Sequence, residues 1–172
     1  MENCKNIELE IIEEIEYYNS LPIMFNNFVD TSNLSNNEIE LKLVKTDEAD
    51  FVKKWVPGYY FDICKNDEKI GFLNLRIGYT EGLYYGGQIG YEISSEYRGN
   101  GYAVDACRLL IPVMKAHNME KVLITNAPDN TASQRVCEKL GAKFIRTAKL
   151  PIGHDLYNTD LREYSNIFEW TL

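Results

Sequence analysis

Hydrophobic and polar positions alternate with several different periods along this chain, and the changes mark its elements. Ile7, Ile11, Ile12 and Ile15 recur among glutamates over residues 1–20, which predicts an amphipathic helix. Pro22 and an Asn/Ser-rich run over 26–37 follow as a connector. Ile39, Leu41 and Leu43 then alternate with polar residues, the period of a strand. Thr46-Asp47-Glu48-Ala49 reads as a helix start with Thr46 or Asp47 as N-cap, and that helix is expected to end before Pro57-Gly58. Residues 59–64 and 69–77 read as two strands of a hairpin turned at Asn66-Asp67. A Gly/Tyr-rich connection over 78–87 leads into a central strand, 88–94, on which Ile89, Tyr91 and Ile93 alternate with Gly90, Glu92 and Ser94.

The period changes again at Ala103. Ala103, Ala106, Leu110, Val113 and Met114 lie on one face of a helix expected to run to about residue 117. Pro112 should kink it by removing the bond to Arg108, and Asn118 takes the left-handed cap position. Residues 121–125 form a short buried-type strand. A turn over 126–130 opens a helix over 131–140, with Ala132, Val136 and Leu140 on one face and Gly141 as its stop. Strands over 144–148 and 165–171 flank a polar loop, 150–162. The order β, α, β, β, β, α, β, α, β, β predicts a mixed α/β sheet with helices on its faces.

Length adds a domain count. At 172 residues the chain is read as one main domain over 39–172, large enough for a real core, preceded by a helical extension and connector over 1–38. The first helix is expected to pack on its own domain; a lid or a homodimer contact are its alternative roles. The net charge of −8 argues against nucleic-acid backbone as the partner and favours cationic ones such as amines. No apolar run is long enough to span a bilayer, and residues 1–8 lack the basic start and apolar core of a signal peptide, so a cytoplasmic protein with no membrane partner is expected. Cys4, Cys64, Cys107 and Cys137 are scattered without a Cys-x-x-Cys pair, which fits reduced core thiols better than zinc ligands or disulfides.

Candidate chemistry centres on Tyr97-Arg98-Gly99-Asn100-Gly101-Tyr102-Ala103, between the central strand and its helix. The first N–H groups of a helix lack internal partners, and its dipole makes that end positive. Gly99 and Gly101 carry no Cβ, so a bulky anion can approach the main chain, and Arg98 adds a permanent cation. This is a site for a phosphorylated cofactor, or else a turn whose glycines merely relieve strain; the motif alone leaves both open.

Arg98-Gly99-Asn100-Gly101-Tyr102-Ala103 resembles the cofactor loop Gln/Arg-x-x-Gly-x-Gly/Ala of the GNAT superfamily of acyl-CoA-dependent N-acetyltransferases. A second stretch is similar too: the 122–125 strand, Asn126, Asn130-Thr131-Ala132-Ser133 and the ending Glu138-Lys139-Leu140-Gly141-Ala142. The resemblance covers 39–149 well, and lies nearest the branch of ribosomal-protein N-terminal acetyltransferases. It implies a mixed, mostly antiparallel sheet whose strands 89–94 and 121–126 splay apart as a cofactor slot. It implies acetyl-CoA as cosubstrate, without metal. The diphosphate would lie on the amides of Gly99, Asn100, Gly101, Tyr102 and Ala103 beside Arg98, and the pantetheine arm along Tyr91 and Ile93. Asn126, Asn130 and Ser133 would complete the cofactor site.

The resemblance also implies direct transfer of acetyl to a primary amine, of a small molecule or a peptide, in a ternary complex. Ile93 N–H would stabilise the oxyanion. Glu92 is the candidate base, with a solvated surface charge as its alternative. Cys137 stands where many members place a tyrosine acid, so Ser133, Tyr91, water or a tyrosine from elsewhere in the chain would protonate the thiolate. The acceptor pocket is expected around residues 55–61, 79–85 and the loop bearing His154, Asp155 and Tyr157. A non-catalytic acyl-CoA-binding module and a nucleotide-binding domain are the rival readings.

Overall fold

The computed structural model describes residues 2–156 and 162–172. In chain order the elements are α1 (Glu2–Ser20), β1 (Glu40–Asp47), β2 (Gly58–Lys65), β3 (Glu68–Arg76), α2 (Glu81–Gly86), β4 (Ile89–Ile93), α3 (Tyr102–Leu109), α4 (Ile111–Ala116), β5 (Lys121–Asn126), α5 (Thr131–Leu140), β6 (Lys143–Lys149) and β7 (Tyr164–Thr171). The strands form two antiparallel sheets, ordered β1-β2-β3-β4 and β5-β7-β6.

Alternation decides what each face does. On the first sheet Tyr59, Phe61, Ile63, Leu73, Leu75, Ile89 and Ile93 point into a core shared with Val104, Leu110 and Met114 of α3, α4 and the residue between them. Tyr60, Asp62, Phe72, Asn74, Arg76, Gly90 and Glu92 take the intervening positions and belong to neither core cluster. On β5, Val122 and Ile124 enter the first core, whereas Leu123 points the other way. There it meets Ile167, Ala148, Tyr84 and Tyr85 under α1. Helices therefore cover both faces of the molecule, with α3, α4 and α5 on one side and α1 and α2 on the other.

Polar bonds complement this second core. Tyr18 donates to Glu169 Oε2 (2.7 Å), Tyr84 donates to Glu14 Oε2 (2.5 Å), and Arg146 grips Glu14 Oε1 (2.5 Å). The connector after α1 is held by a buried relay. Val29 N–H donates to the Tyr59 hydroxyl (2.8 Å), which lies 2.8 Å from His117 Nε2, while His117 Nδ1 lies 3.1 Å from Met24 O. With its Nε2 accepting from Tyr59, the ring donates from Nδ1 to Met24 O. Burial pushes the His117 pKa down.

Three local expectations are corrected. The helix expected after Thr46 does not form. Thr46 and Asp47 are the last residues of β1, paired with Tyr59 and Gly58. Asp50 Oδ1 then accepts from the N–H groups of Val52 and Lys53, both at 3.0 Å, and Asp50 and Trp55 exchange main-chain bonds. An acidic cap signal serves such an Asx-type turn as well as it serves a helix. Within the 78–87 connection, Thr80 caps the short helix α2 by accepting from Leu83 N–H. The long helix divides at Leu110 into α3 and α4, with Pro112 in the first turn of α4, where its missing N–H goes unmissed.

Candidate active site

The site is built on a gap between the two sheets. Ser94 N–H bonds Ile70 O and Arg76 N–H bonds Gln88 O, so the even residues of β4 direct their main-chain groups at β3. Ile89, Tyr91 and Ile93 therefore present theirs to the other side, toward β5. Among the described residues β4 and β5 share no ladder. Their hydrogen bonds among the described residues lie just before β4, where Gln88 N–H donates to Leu123 O (2.8 Å) and Leu123 N–H donates to Gln88 Oε1 (2.5 Å). Gln88 is fully buried, and its Nε2 donates to Gly78 O (2.9 Å). Gly87 lets the chains approach here: a Cβ on it would sit 3.1 Å from both Leu123 O and Thr125 N. Beyond this brace lies a slot with one side formed by main-chain groups of β4 that no strand pairs among the described residues.

At the end of β4 a single 3₁₀ turn (Ser95–Tyr97) leads to the glycine turn. Gly99 and Gly101 have φ of 84° and 86°, left-handed values that only glycine adopts readily. A Cβ on either would meet nothing within 4 Å, so the space before them is open. Among the described residues no side chain caps α3, whose N-cap is Gly101. Open room, an uncapped helix start and two unhindered glycines fit a diphosphate group. Arg98 behaves differently from the expectation of a cation aimed into that turn. Its Nε donates back to Ile93 O (2.8 Å), and its NH2 lies 3.7 Å from Glu92 Oε1, a loose pair with both side chains 61% exposed.

Across the slot, Asn130 caps α5 by accepting from Ser133 N–H (3.0 Å), the local role its sequence position also fits. Ser133 Oγ lies 2.9 Å from the Tyr91 hydroxyl. Burial pushes the Tyr91 phenol up, which keeps its proton in place. Cys137 is fully buried, its thiol pushed up to about 12 by burial, with Asn126 Nδ2 3.9 Å away. It is a packing residue here, closed off from the slot. Asn126 is itself buried in a row of side chains across the second sheet: its Oδ1 accepts from Asn166 (3.4 Å), whose Oδ1 accepts from Thr147 (2.6 Å).

The structure thus brings Tyr91 and Ser133 together on the helix-covered side of the slot. Glu92 stands exposed on the opposite side of β4, the turn 98–103 follows the C-terminal end of β4, and Asn126 lies beneath the surface. The expected aromatic lining is mostly core: Tyr59, Phe61, Tyr84 and Tyr85 are buried, and Tyr79 donates to Lys121 O. His154 is held in its loop. Its Nδ1 accepts from Leu156 N–H (3.2 Å) and its Nε2 donates to Gly82 O (3.0 Å), which fixes the ring as a latch onto α2. Tyr157 lies outside the described residues.

Three residues near the slot escaped sequence reasoning. Gln88 is the brace just described. Asn74 and Arg76 share the face of β3 turned away from the first core. Asn74 Oδ1 is buried without a hydrogen-bond partner among the described residues. Arg76 makes one hydrogen bond there, NH1 to Gly87 O (3.3 Å), and burial pulls its guanidinium below the ordinary value. The only signal in the sequence was a polar residue in an alternating strand.

A family model described as the Acetyltransferase (GNAT) domain matches residues 29–143. The crystal structure of a probable acetyltransferase superposes with a TM-score of 0.53 at 23% identity, covering 66% of this chain and 62% of that one. The microcin C7 self-immunity acetyltransferase, solved with acetyl-CoA and AMP, gives 0.51 at 17% identity, over 67% and 61% of the two chains. The ribosomal-protein-S5-alanine acetyltransferase of Vibrio fischeri gives 0.51 at 25% identity, over 66% and 61%. The chain therefore spans just over three fifths of the length of these structures. No curated protein matches its sequence.

Proposed function

Because the chain belongs to the GNAT acetyltransferase family, we propose that it transfers the acetyl group of acetyl-CoA to a primary amine by direct attack in a ternary complex. The observation that carries this reading is the slot itself: β4 and β5 part beyond the Gln88–Leu123 brace, and the glycine turn follows the free end of β4. The amides of Gly99, Asn100, Gly101, Tyr102 and Ala103 are assigned to the diphosphate. The free edge of Tyr91 and Ile93 is assigned to the pantetheine arm, with Arg98 closing the Ile93 carbonyl. Asn130 shapes the start of α5, and Asn126 supports the strand beneath it.

Bound acetyl-CoA supplies the thioester whose carbon accepts the amine nitrogen as the C–S bond breaks. Ile93 N–H, free on the slot edge, donates to the developing oxyanion. Glu92, on the open face, takes the proton that the amine loses, through water. Ser133, with the Tyr91 hydroxyl behind it at 2.9 Å, returns a proton to the sulfur. A non-catalytic acyl-CoA-binding module is the second reading, favoured by Cys137 standing buried where a tyrosine acid is common. The solved acetyltransferases above name a ribosomal protein and a microcin immunity function; we extend neither acceptor to this chain. Residues 39–172 are assigned to the transferase domain and 1–38 to its extension, with acetyl-CoA the cosubstrate and no metal.

The test is thermal shift with acetyl-CoA, followed by an amine panel read as released CoA thiol. Stabilisation together with turnover is expected. Stabilisation with hydrolysis only would support the binding module, and no response to CoA but protection by ATP or NAD would overturn both.

A further inference from the structure

The amine must reach the slot from one side. On the α3 and α5 side the core fills the space, whereas the opposite face of β4 and β3 is outside either core cluster. That face carries two groups that are poorly partnered among the described residues, with two carboxylates near them. Asn74 Oδ1 is buried and unpaired among the described residues. Arg76 is a largely desolvated cation with a carbonyl, Gly87 O, as its one hydrogen-bond partner among the described residues. The carboxylate of the facing edge, Asp47, is held by Lys45 at 2.8 Å. Glu92, next along β4, is exposed beyond its loose contact with Arg98.

Their arrangement is set by register. Asn74 pairs with Gly90, and a Cβ on Gly90 would lie 3.0 Å from both Nδ2 and Oδ1 of Asn74, so the amide lies over the glycine. Phe72 pairs with Glu92 one row away, and Arg76 stands two residues along β3 in the other direction. Side chains two apart on a strand share a face at roughly 6.6–7 Å. An unpaired buried oxygen and a desolvated guanidinium each weigh against folding, the charge more than the neutral group. Both are relieved by a single ligand that offers an N–H donor to one and an anion to the other. With about 2.9 Å for each hydrogen bond, that ligand is small.

We propose that Asn74, Arg76 and Glu92 form the acceptor subsite, and that the acceptor is a primary amine carrying a carboxylate a few bonds away, an amino acid or a close analogue. This rests on the transferase reading and narrows it. Asn74 swings its amide off Gly90 so that Oδ1 accepts from the attacking amine, Glu92 faces the same nitrogen, and the Arg76 fork holds the carboxylate. A polyamine or a neutral amine would leave the guanidinium unpaired.

The experiment compares free amino acids, their amides and the matching amines without a carboxyl as acceptors, with acetyl-CoA affinity measured separately by calorimetry. The wild type is expected to favour the acids at least tenfold in kcat/KM. Arg76→Met should bring that preference to about one with acetyl-CoA affinity unchanged, and Arg76→Lys should retain part of it. Asn74→Leu should raise KM for every acceptor while the melting temperature of the free protein holds or rises, because a buried unpaired oxygen is removed. A merely structural asparagine would lower it. Equal use of acids, amides and plain amines by the wild type, or a preference that survives Arg76→Met, overturns the proposal. Loss of acetyl-CoA binding by the wild type would instead strike the transferase reading.

Discussion

Gln88 and Leu123 exchange two hydrogen bonds across the base of the slot, one made by a main-chain amide and the other by a side-chain amide oxygen standing in for a strand. A true strand pairing would continue residue by residue and close the gap. A side chain makes one such contact and stops, so the sheets are joined and the slot stays open above the joint. Gln88→Leu should leave Leu123 N–H buried without this partner and take the Gln88 amide from Gly78 O. We expect a loss of roughly 2–4 kcal/mol in urea unfolding, with weaker acetyl-CoA binding in the fraction that folds.

Gly101→Val places a β-branched side chain at φ 86° and fills the room before α3. The strain is on the order of 1–2 kcal/mol, which a domain of this size tolerates. Calorimetry should therefore find acetyl-CoA binding abolished while circular dichroism stays unchanged. Undiminished affinity would remove the diphosphate assignment from this turn.

Replacing Glu92 with glutamine removes a proton acceptor from the open face. Turnover should fall by 10²-fold or more near neutral pH, the range typical of a lost general base. The deficit should shrink at high pH, where the amine arrives already deprotonated. A pH–rate profile parallel to that of the wild type would exclude Glu92 as the base.

His117 predicts an acid-sensitive fold. Burial holds its folded pKa below the ordinary 6.5, so the folded state binds fewer protons than the unfolded one. The stability tied to the neutral ring is complete above about 6.5 and drains away as pH falls toward the depressed value. Urea midpoints measured from pH 7.5 down to 5.5 should drop in the wild type. In His117→Gln the neutral-pH unfolding free energy should already be lower, by about 1–3 kcal/mol for the lost bonds to Tyr59 and Met24, and the midpoint flatter with pH.

Much of this arrangement was legible in the residues. Asn66 and Asp67 take φ of 49° and 65°, as a tight hairpin turn requires, and α5 runs between the Asn130 cap and the Gly141 stop. The alternation of β4 and the glycine turn after it stand as read. Local signals failed where one residue type serves two structures. Asp50 makes a turn in place of the expected helix, and Arg98 reaches back to β4 instead of forward to the turn. Asn74 and Arg76 were invisible for another reason. A polar residue in an alternating strand reads as a solvated face, and only the register opposite Gly90 and the burial around it give these two a role. The aromatic cluster misled in the opposite direction, because Tyr84 and Tyr85 are needed to build a second core.

The first helix has a practical consequence for anyone shortening the protein. Tyr18, only 4% exposed, and Glu14 tie α1 to strands far along the sequence, including Arg146 and Glu169. A version beginning after residue 20 would bare an oily patch and strand an arginine beside it, and should clump during purification. The helix is thus a wall of the building, and melting curves should record its departure and the collapse of the second sheet as a single step.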